Sequence, residues 1–251
     1  AARMALVPGV VLATFGDVVR VPARTSLSDA RAHGGDVRVV YGVDDAIALA
    51  VANPSRPVVF FAVGFETTAC TTAAALLRGA PANFLVACSH RVVPPAVEAL
   101  LASPDAALDG LLLPGHVLTV TGAGDYERLG RRTGVPMAIA GFEAVDLLRA
   151  VRAVVADLGR DRASLWPGVR NAYRRAVRDE GNTVARRGID AVFGVVDAAW
   201  RGLGTIPGSG LRLREPWTRH DAARVLGVAA DPTVADSPPG CRCGQVLIGR
   251  V

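Results

Sequence analysis

The 251-residue sequence contains no lysine; all 28 of its basic residues are arginine. That absence excludes a P-loop NTPase, whose loop lysine must reach the phosphates. It excludes Schiff-base chemistry through a lysine amine, including pyridoxal phosphate attachment, and the Ser-x-x-Lys arrangement of penicillin-binding enzymes. A general preference for arginine also weakens any functional reading of arginine clusters. Cysteine is scarce. There are four, and Cys241 and Cys243 are one residue apart. A disulfide framework is therefore excluded, and the cysteines read as thiols of a reducing, cytoplasmic compartment. Long apolar runs are missing too. Stretches such as Val58 to Phe65 fall far below the ~18–20 residues needed to span a bilayer. No His-Glu-x-x-His, Gly-x-Ser-x-Gly or strand-borne Gly-x-Gly-x-x-Gly occurs. This argues against a zincin, an α/β-hydrolase and a standard NAD enzyme.

What is present points to a packed globular chain. Hydrophobic residues make up 51% and mean hydropathy is +0.32, which excludes disorder. A chain of this length buries roughly 70% of its unfolded surface, enough for one large or two small cores. The net charge of +5 does not require nucleic acid. Its densest source, Arg174, Arg175, Arg178, Arg186 and Arg187, lies in a helical pattern without a stacking platform of aromatics and reads as a solvated face. The opening Arg3-Met4-Ala-Leu-Val-Pro-Gly-Val-Val-Leu-Ala superficially resembles a signal peptide. It lacks a small-x-small cleavage site and reads as a buried strand.

Short continuous apolar runs recur: Val10–Phe15, Asp36–Tyr41, Val58–Val63, Asn83–Cys88, Gly110–Leu113 and Met137–Ala140. Such runs suit strands covered on both faces. Helical patterns separate them at Ser26–His33, Asp44–Ala52, Thr67–Arg78, Pro95–Ala102 and Asp125–Arg132. The alternation predicts an α/β fold, a parallel sheet with flanking helices. Gly64, Pro114-Gly115 and Gly141 each follow a strand. In open α/β sheets such carboxyl ends carry the site, so the three turns are expected at one edge, facing one crevice. Beyond Phe142, helices are expected over Glu143–Leu158, ending near Gly159, and over Val169–Arg187. Ile189–Trp200 is an apolar run of strand or helix. Gly202–Gly210 reads as a connection, and Ala229–Gly240 as a loop leading to Cys241. Boundaries fall near 145 and 216.

Four places can carry chemistry. Cys241-Arg-Cys243-Gly244 sets two thiols in a glycine-flanked turn, able to ligate a metal or an iron–sulfur cluster. The pair is inadequate alone, since zinc and cluster sites want about four ligands, and the missing ones could lie beyond residue 251. Cys70 and Cys88 fall in a helix and a strand and read as small buried hydrophobes. Gly64-Phe65-Glu66-Thr67-Thr68 opens a helix from a glycine turn. Its first N–H groups can face an anion or a partner, or the threonines can simply cap the helix. His90, in Ser89-His-Arg-Val-Val-Pro-Pro95, and His116, in Leu113-Pro-Gly-His-Val117, stand at strand ends, where they can titrate or ligate or serve structure only. His33 and His220 have no supporting context.

Gly64-Phe-Glu-Thr-Thr-Ala-Cys-Thr-Thr72, Ser89-His-Arg-Val-Val-Pro-Pro95, Leu113-Pro-Gly-His-Val117, Ala140-Gly-Phe-Glu143 and Cys241-Arg-Cys-Gly244 occur in this order, after Leu12-Ala-Thr-Phe-Gly-Asp17. Together they resemble the HypD family of hydrogenase formation proteins, over essentially the whole chain. The resemblance implies two Rossmann-like lobes and a C-terminal iron–sulfur domain. On that scheme residues 1–145 form a complete lobe, 146–215 the returning part of an incomplete second lobe, and 216–251 the start of the cysteine-bearing domain. It implies an iron and [4Fe-4S] scaffold for assembling the Fe(CN)2CO centre of [NiFe] hydrogenases. Its partners would be a HypC-type chaperone and a HypE-type cyanide donor, with no nucleic acid and no membrane. Gly64, Glu66, Thr67, Thr68, His90 and His116 would bind in a cleft or to a partner, and Cys241 and Cys243 match the family's first cluster-region cysteines as candidate metal ligands, which of the two ligates being left open. The family's upstream Cys-Gly-x-His and Pro-Gly-Cys-Pro-x-Cys motifs and its later cluster cysteines are absent. The chain therefore reads as truncated at both ends, a redox-assisted scaffold rather than a turnover enzyme, unable to retain the cluster or act alone. The rival reading is an anion- or small-molecule-binding α/β module with no metal.

Overall fold

The computed structural model describes residues 1–158, 169–228 and 240–250. The expected helix end at Gly159 and the loop from Ala229 to Pro239 lie outside the described residues. The chain divides into two compact units. One comprises Ala1–Val92 with Gly188–Cys243, the other Val93–Arg187 with Gly244–Val251. The divisions thus fall at Val92 and Arg187 rather than near 145 and 216. Composition does not mark them, because Val93 starts a helix at once and the chain later returns to its first sheet.

The first unit is built on a parallel sheet of β1 (Val11–Thr14), β2 (Asp36–Val39), β3 (Val58–Gly64) and β4 (Phe84–His90), in the order β2-β1-β3-β4. The apolar runs put alternate side chains on opposite faces. Val11, Ala13, Val58, Phe60, Phe84 and Val86 pack on one side, against α4 (Val43–Ala52) and α5 (Glu66–Leu77). Leu12, Val59 and Leu85 pack on the other, against Met4 and Ala5 of α1 (Ala2–Ala5), Val19 of α2 (Gly16–Val19) and Leu27 of α3 (Leu27–Ala32). Both faces are therefore apolar, which explains why the strands read as continuous rather than alternating. Ser26 caps α3 in a reciprocal box with Asp29. The first residues correct the expected opening strand, since a short helix precedes β1.

The later chain also departs from expectation. Ile189–Trp200 holds both of the alternatives: it closes a helix that begins at Thr183 and then forms a strand, Phe193–Trp200. The expected connection at Gly202–Gly210 is largely strand, Gly204–Leu213, paired antiparallel with Phe193–Trp200. Its glycines and proline suppress the local strand signal, and long-range pairing overrides it. The hairpin runs beside β4 through an Arg91–Gly210 bridge, and Phe193, Leu211 and Leu213 join the core.

The second unit contains α6 (Val93–Ala102), β5 (Leu111–Pro114), α7 (Gly115–Thr121), α8 (Gly124–Thr133), β6 (Met137–Ala140), α9 (Ala144–Leu158) and β7 (Arg170–Asn171). Its sheet is parallel, ordered β5-β6-β7. Leu113, Met137 and Ile139 pack with Leu118, Tyr126 and Leu129. Ala138 and Ala140 pack with Ala150 and Val154 of α9. The helix expected over Val169–Arg187 is corrected: β7 and a turn occupy its first half, and α10 (Thr183–Val192) begins only after Asn182. The single expected edge is corrected as well. Gly64 ends a strand of the first sheet, whereas Pro114 and Gly141 stand at the second. No described helix is long and apolar enough to cross a membrane.

Candidate functional site

In the first unit, parallel register sets the last residue of β3 beside the last of β4, pairing Gly64 with His90. The Gly64 carbonyl accepts the Arg91 N–H at 2.9 Å. Gly64 has φ +135°, and a Cβ there would sit 2.5 Å from the Thr68 hydroxyl oxygen. The close approach of strand end and helix start thus requires glycine. α5 then begins with Phe65 as its N-cap and no side-chain cap. The threonines do not supply one. Thr71 and Thr72 instead donate back to the Thr68 carbonyl at 2.9 and 3.0 Å, a habit of hydroxyls inside helices. Glu66, in the first turn, is only 5% exposed. Thr67 and Thr68 are half-buried, and the Thr67 carbonyl accepts the Cys70 thiol at 3.0 Å.

His90 is fully buried. Its Nε2 lies 3.2 Å from the Thr72 hydroxyl, and its ring meets Phe193 edge-on at 5.5 Å. Burial among these groups pushes its pKa down to about 4, against a smaller upward pull from the Gly64 backbone. The imidazole is therefore neutral at physiological pH. The hairpin holds this edge from outside. Trp200 stacks on Phe65, Arg91 donates to the Ala199 carbonyl at 3.1 Å, and the Val92 N–H donates to Ser209 at 2.9 Å.

His116 belongs to the second unit and does not share this environment. It is exposed, at the start of α7. Its ring lies 4.5 Å from Phe142, edge-on, and 5.9 Å from Tyr173. The Tyr173 hydroxyl is 3.5 Å from Nε2. Arg175 lies 4.6 Å over the Tyr173 ring and makes a two-pronged contact with Asp146, at 2.7 and 2.5 Å. This guanidinium holds the Asp146 carboxyl below the usual carboxylate range. Sequence reasoning missed Tyr173, Arg175 and Asp146, because it read 169–187 as one solvated helix. The Asn171-Ala-Tyr173 turn signal was the available clue.

Cys241 and Cys243 place their sulfurs 3.1 Å apart. The neighbouring Cys241 thiol, more than burial, raises the pKa of Cys243, against a small opposing pull from Arg201. A cluster takes four thiolates as a rule. Among the described residues no three His, Cys, Asp or Glu side chains converge on a metal position. The residues present thus do not fit a complete iron–sulfur site. Cys88 donates to the Leu211 carbonyl at 3.1 Å, and burial pushes its thiol up to about 11. Cys70 is raised by burial too. Both behave as inert packing thiols.

Fold and sites define a mixed α/β protein with parallel sheets flanked by helices, whose distinctive residues gather at strand carboxyl ends. The HypD family model, described as "Hydrogenase formation hypA family", matches residues 1–251, and the chain belongs to this family. It is similar to the hydrogenase maturation factor HypD of Rhodobacter capsulatus, 42% identical over 251 residues, covering 97% of this chain and 66% of that protein. Azotobacter vinelandii HypD is also 42% identical, over 260 residues, covering 99% and 67%. Escherichia coli HypD is 42% identical over 248 residues, covering 97% and 65%. The chain thus spans about two thirds of the length of these curated relatives.

Proposed function

We propose that this chain acts in hydrogenase maturation, as a binding platform rather than a turnover enzyme. The observation that carries this reading is the family match along all 251 residues, with relatives that are named maturation factors. The site chemistry is compatible with it. A platform needs fixed edges and docking groups, and it needs no activated nucleophile. The Gly64–Thr68 helix start and His116 are the proposed docking groups. His90 is a buried neutral imidazole, so it supports the Gly64 edge from within. A HypC-type chaperone and a HypE-type cyanide donor are the proposed partners, in the cytoplasm. The cargo would be the iron of the Fe(CN)2CO centre. One or both of Cys241 and Cys243 are proposed as thiolates of a [4Fe-4S] cluster whose set these residues do not complete.

The test is calorimetric titration of the purified chain with a HypC-type chaperone. Binding that weakens when Phe65 and His116 are each changed to alanine, with folding retained, supports the platform. No binding, together with thermal stabilisation by simple anions, would return the rival reading of an anion-binding module.

A further inference from the structure

Two strand-end glycines of the second unit have no conformational reason to be glycine. Gly115 and Gly141 are absent from the residues with positive φ, so any residue could adopt their backbone. What excludes a side chain is close packing in which Tyr173 takes part at both positions. A Cβ on Gly115 would run into the Ala140 carbonyl oxygen and lie 2.7 Å from the Tyr173 Cδ1, and one on Gly141 would run into the Asp146 carboxylate and lie 2.7 Å from the Tyr173 Cε2 and 2.8 Å from its Cδ2. Real contacts are never that close between such atoms. One ring therefore crowds both glycines, each at the end of a different strand, together with the Ala140 backbone at the first and the Asp146 carboxylate at the second.

The ring is also fixed from its own chain. Asn171, the last residue of β7, accepts the Tyr173 N–H on its side chain at 2.9 Å and donates to the Val177 carbonyl at 3.2 Å. The Tyr173 carbonyl accepts from the Ala176 and Val177 N–H groups, each at 3.0 Å. Over the ring face lies Arg175, itself held by Asp146, whose side chain is 1% exposed, and by Glu143 at 3.1 Å. An exposed arginine needs no buried acid for its own stability. A buried carboxylate is costly unless paired, and here the pair immobilises the group that covers Tyr173. The outcome of all these constraints is the placement of one hydroxyl, 3.5 Å from His116 Nε2, while Phe142 meets the imidazole from another direction.

We propose that Tyr173 is a positioning residue for His116. Its hydroxyl donates to Nε2, which leaves the imidazole proton on Nδ1, since the bond at one ring nitrogen decides which of the two carries hydrogen. His116 then offers an Nδ1–H donor of fixed direction. Such a donor suits an acceptor oxygen, a carbonyl or carboxylate, on whatever docks there. This deepens the docking role proposed above for His116 and rests on it only for what is bound, not for how the ring is held.

The test is nitrogen NMR of the ring of His116 in the full chain, assigned by its loss in His116→Gln. At a pH where the ring is neutral, the Nδ1–H form should predominate. Tyr173→Phe should shift the ratio toward Nε2–H by about fivefold, the worth of one hydrogen bond between neutral groups. A second measurement needs no substitution. Incorporating 3-fluorotyrosine strengthens the donor, and His116 Nε2 should respond while the nitrogens of His33 and His220 do not. An unchanged tautomer ratio in folded Tyr173→Phe, or no response to fluorotyrosine, overturns the proposal. The chaperone titration separates the two readings. If Tyr173→Phe shifts the tautomer yet His116→Ala binds the chaperone normally, the positioning stands and the docking role of His116 falls.

Discussion

The indole of Trp200 lies on the ring of Phe65, with centroids 6.1 Å apart and planes 18° from parallel. Phe65 is the N-cap of α5, so this contact ties the hairpin to the helix start proposed to dock partners. The indole N–H is also used, donating to the Ser209 hydroxyl at 2.8 Å. Trp200→Ala removes both. Because Trp200 is only partly buried, the loss should be about 2 kcal/mol, below the range for a fully buried aromatic. Urea denaturation reads that value. Amide exchange should quicken at Phe65 and Glu66 first; uniform quickening across the first unit would mean that the stack serves global stability alone.

Gly64→Ala combines two penalties. The backbone keeps φ +135°, and the new Cβ meets the Thr68 side chain at 2.5 Å. Strain of this kind costs about 1–3 kcal/mol. Thr68→Ala in the same chain removes the hydroxyl contact but keeps the Thr68 Cβ at 2.9 Å and the backbone conformation, so it should restore part of the stability and not all of it. Full restoration would show that the Thr68 hydroxyl, rather than φ, is what requires glycine here.

Much of this fold was legible because the strands announce themselves. Val58–Val63 and Met137–Ala140 are apolar throughout, since both faces of each strand are covered, and periodicity detects that directly. What sequence could not supply was partnership. Leu111–Pro114 and Met137–Ala140 look like further strands of the first sheet, yet they pair with each other and with Arg170–Asn171. A two-residue strand made of arginine and asparagine carries no apolar signal. Gly204–Leu213 is a strand because Phe193–Trp200 and β4 lie beside it, information its glycines conceal. The same holds for the sites. His90 and His116 stand in similar strand-end contexts, and only tertiary packing makes one buried and the other exposed. The cysteine pair was legible, but its proximity adds no further ligand.

The four thiols should separate by reactivity. Thiolate is the reacting form, and burial suppresses it. Iodoacetamide at pH 8 should label Cys241 and Cys243 in the native chain. Cys88, pushed up to about 11 and hydrogen-bonded to Leu211, should label only on unfolding, with Cys70 intermediate. Mass spectrometry of the labelled peptides gives the order directly. Rapid native labelling of Cys88 would mean that the hairpin opens readily from β4. After anaerobic treatment with iron and sulfide, the chain alone should hold no stable four-iron cluster; a persistent four-iron absorbance would show that ligands other than Cys241 and Cys243 take part.

His90 makes stability depend on pH in a definite window. Its folded value of about 4 lies below the ordinary 6.5, so the unfolded chain binds a proton more readily than the native one. Stability from keeping this ring neutral is complete above pH 6.5 and is lost as pH falls toward 4. The full loss is about 3 kcal/mol, with roughly 2 kcal/mol already gone at pH 5. Carboxylates paired in the native state, such as Asp146 with Arg175 and Asp36 with Arg38, act in the same direction. Their folded values are depressed, so their contribution is present above the ordinary carboxylate range and fades only below it. The interval from 6.5 to 5 therefore lies above these carboxylates, and the His90 variant separates the histidine from the Ala1 amino group, whose pKa burial also lowers. His90→Gln should flatten the stability profile there, whatever it costs at neutral pH, because the replacement does not titrate; Thr72 keeps its bond to the Thr68 carbonyl at 3.0 Å. Denaturation series at pH 7, 6 and 5 on both chains measure this. An unchanged slope in His90→Gln would assign the acid sensitivity to another group and would mean that water reaches His90 in the native state.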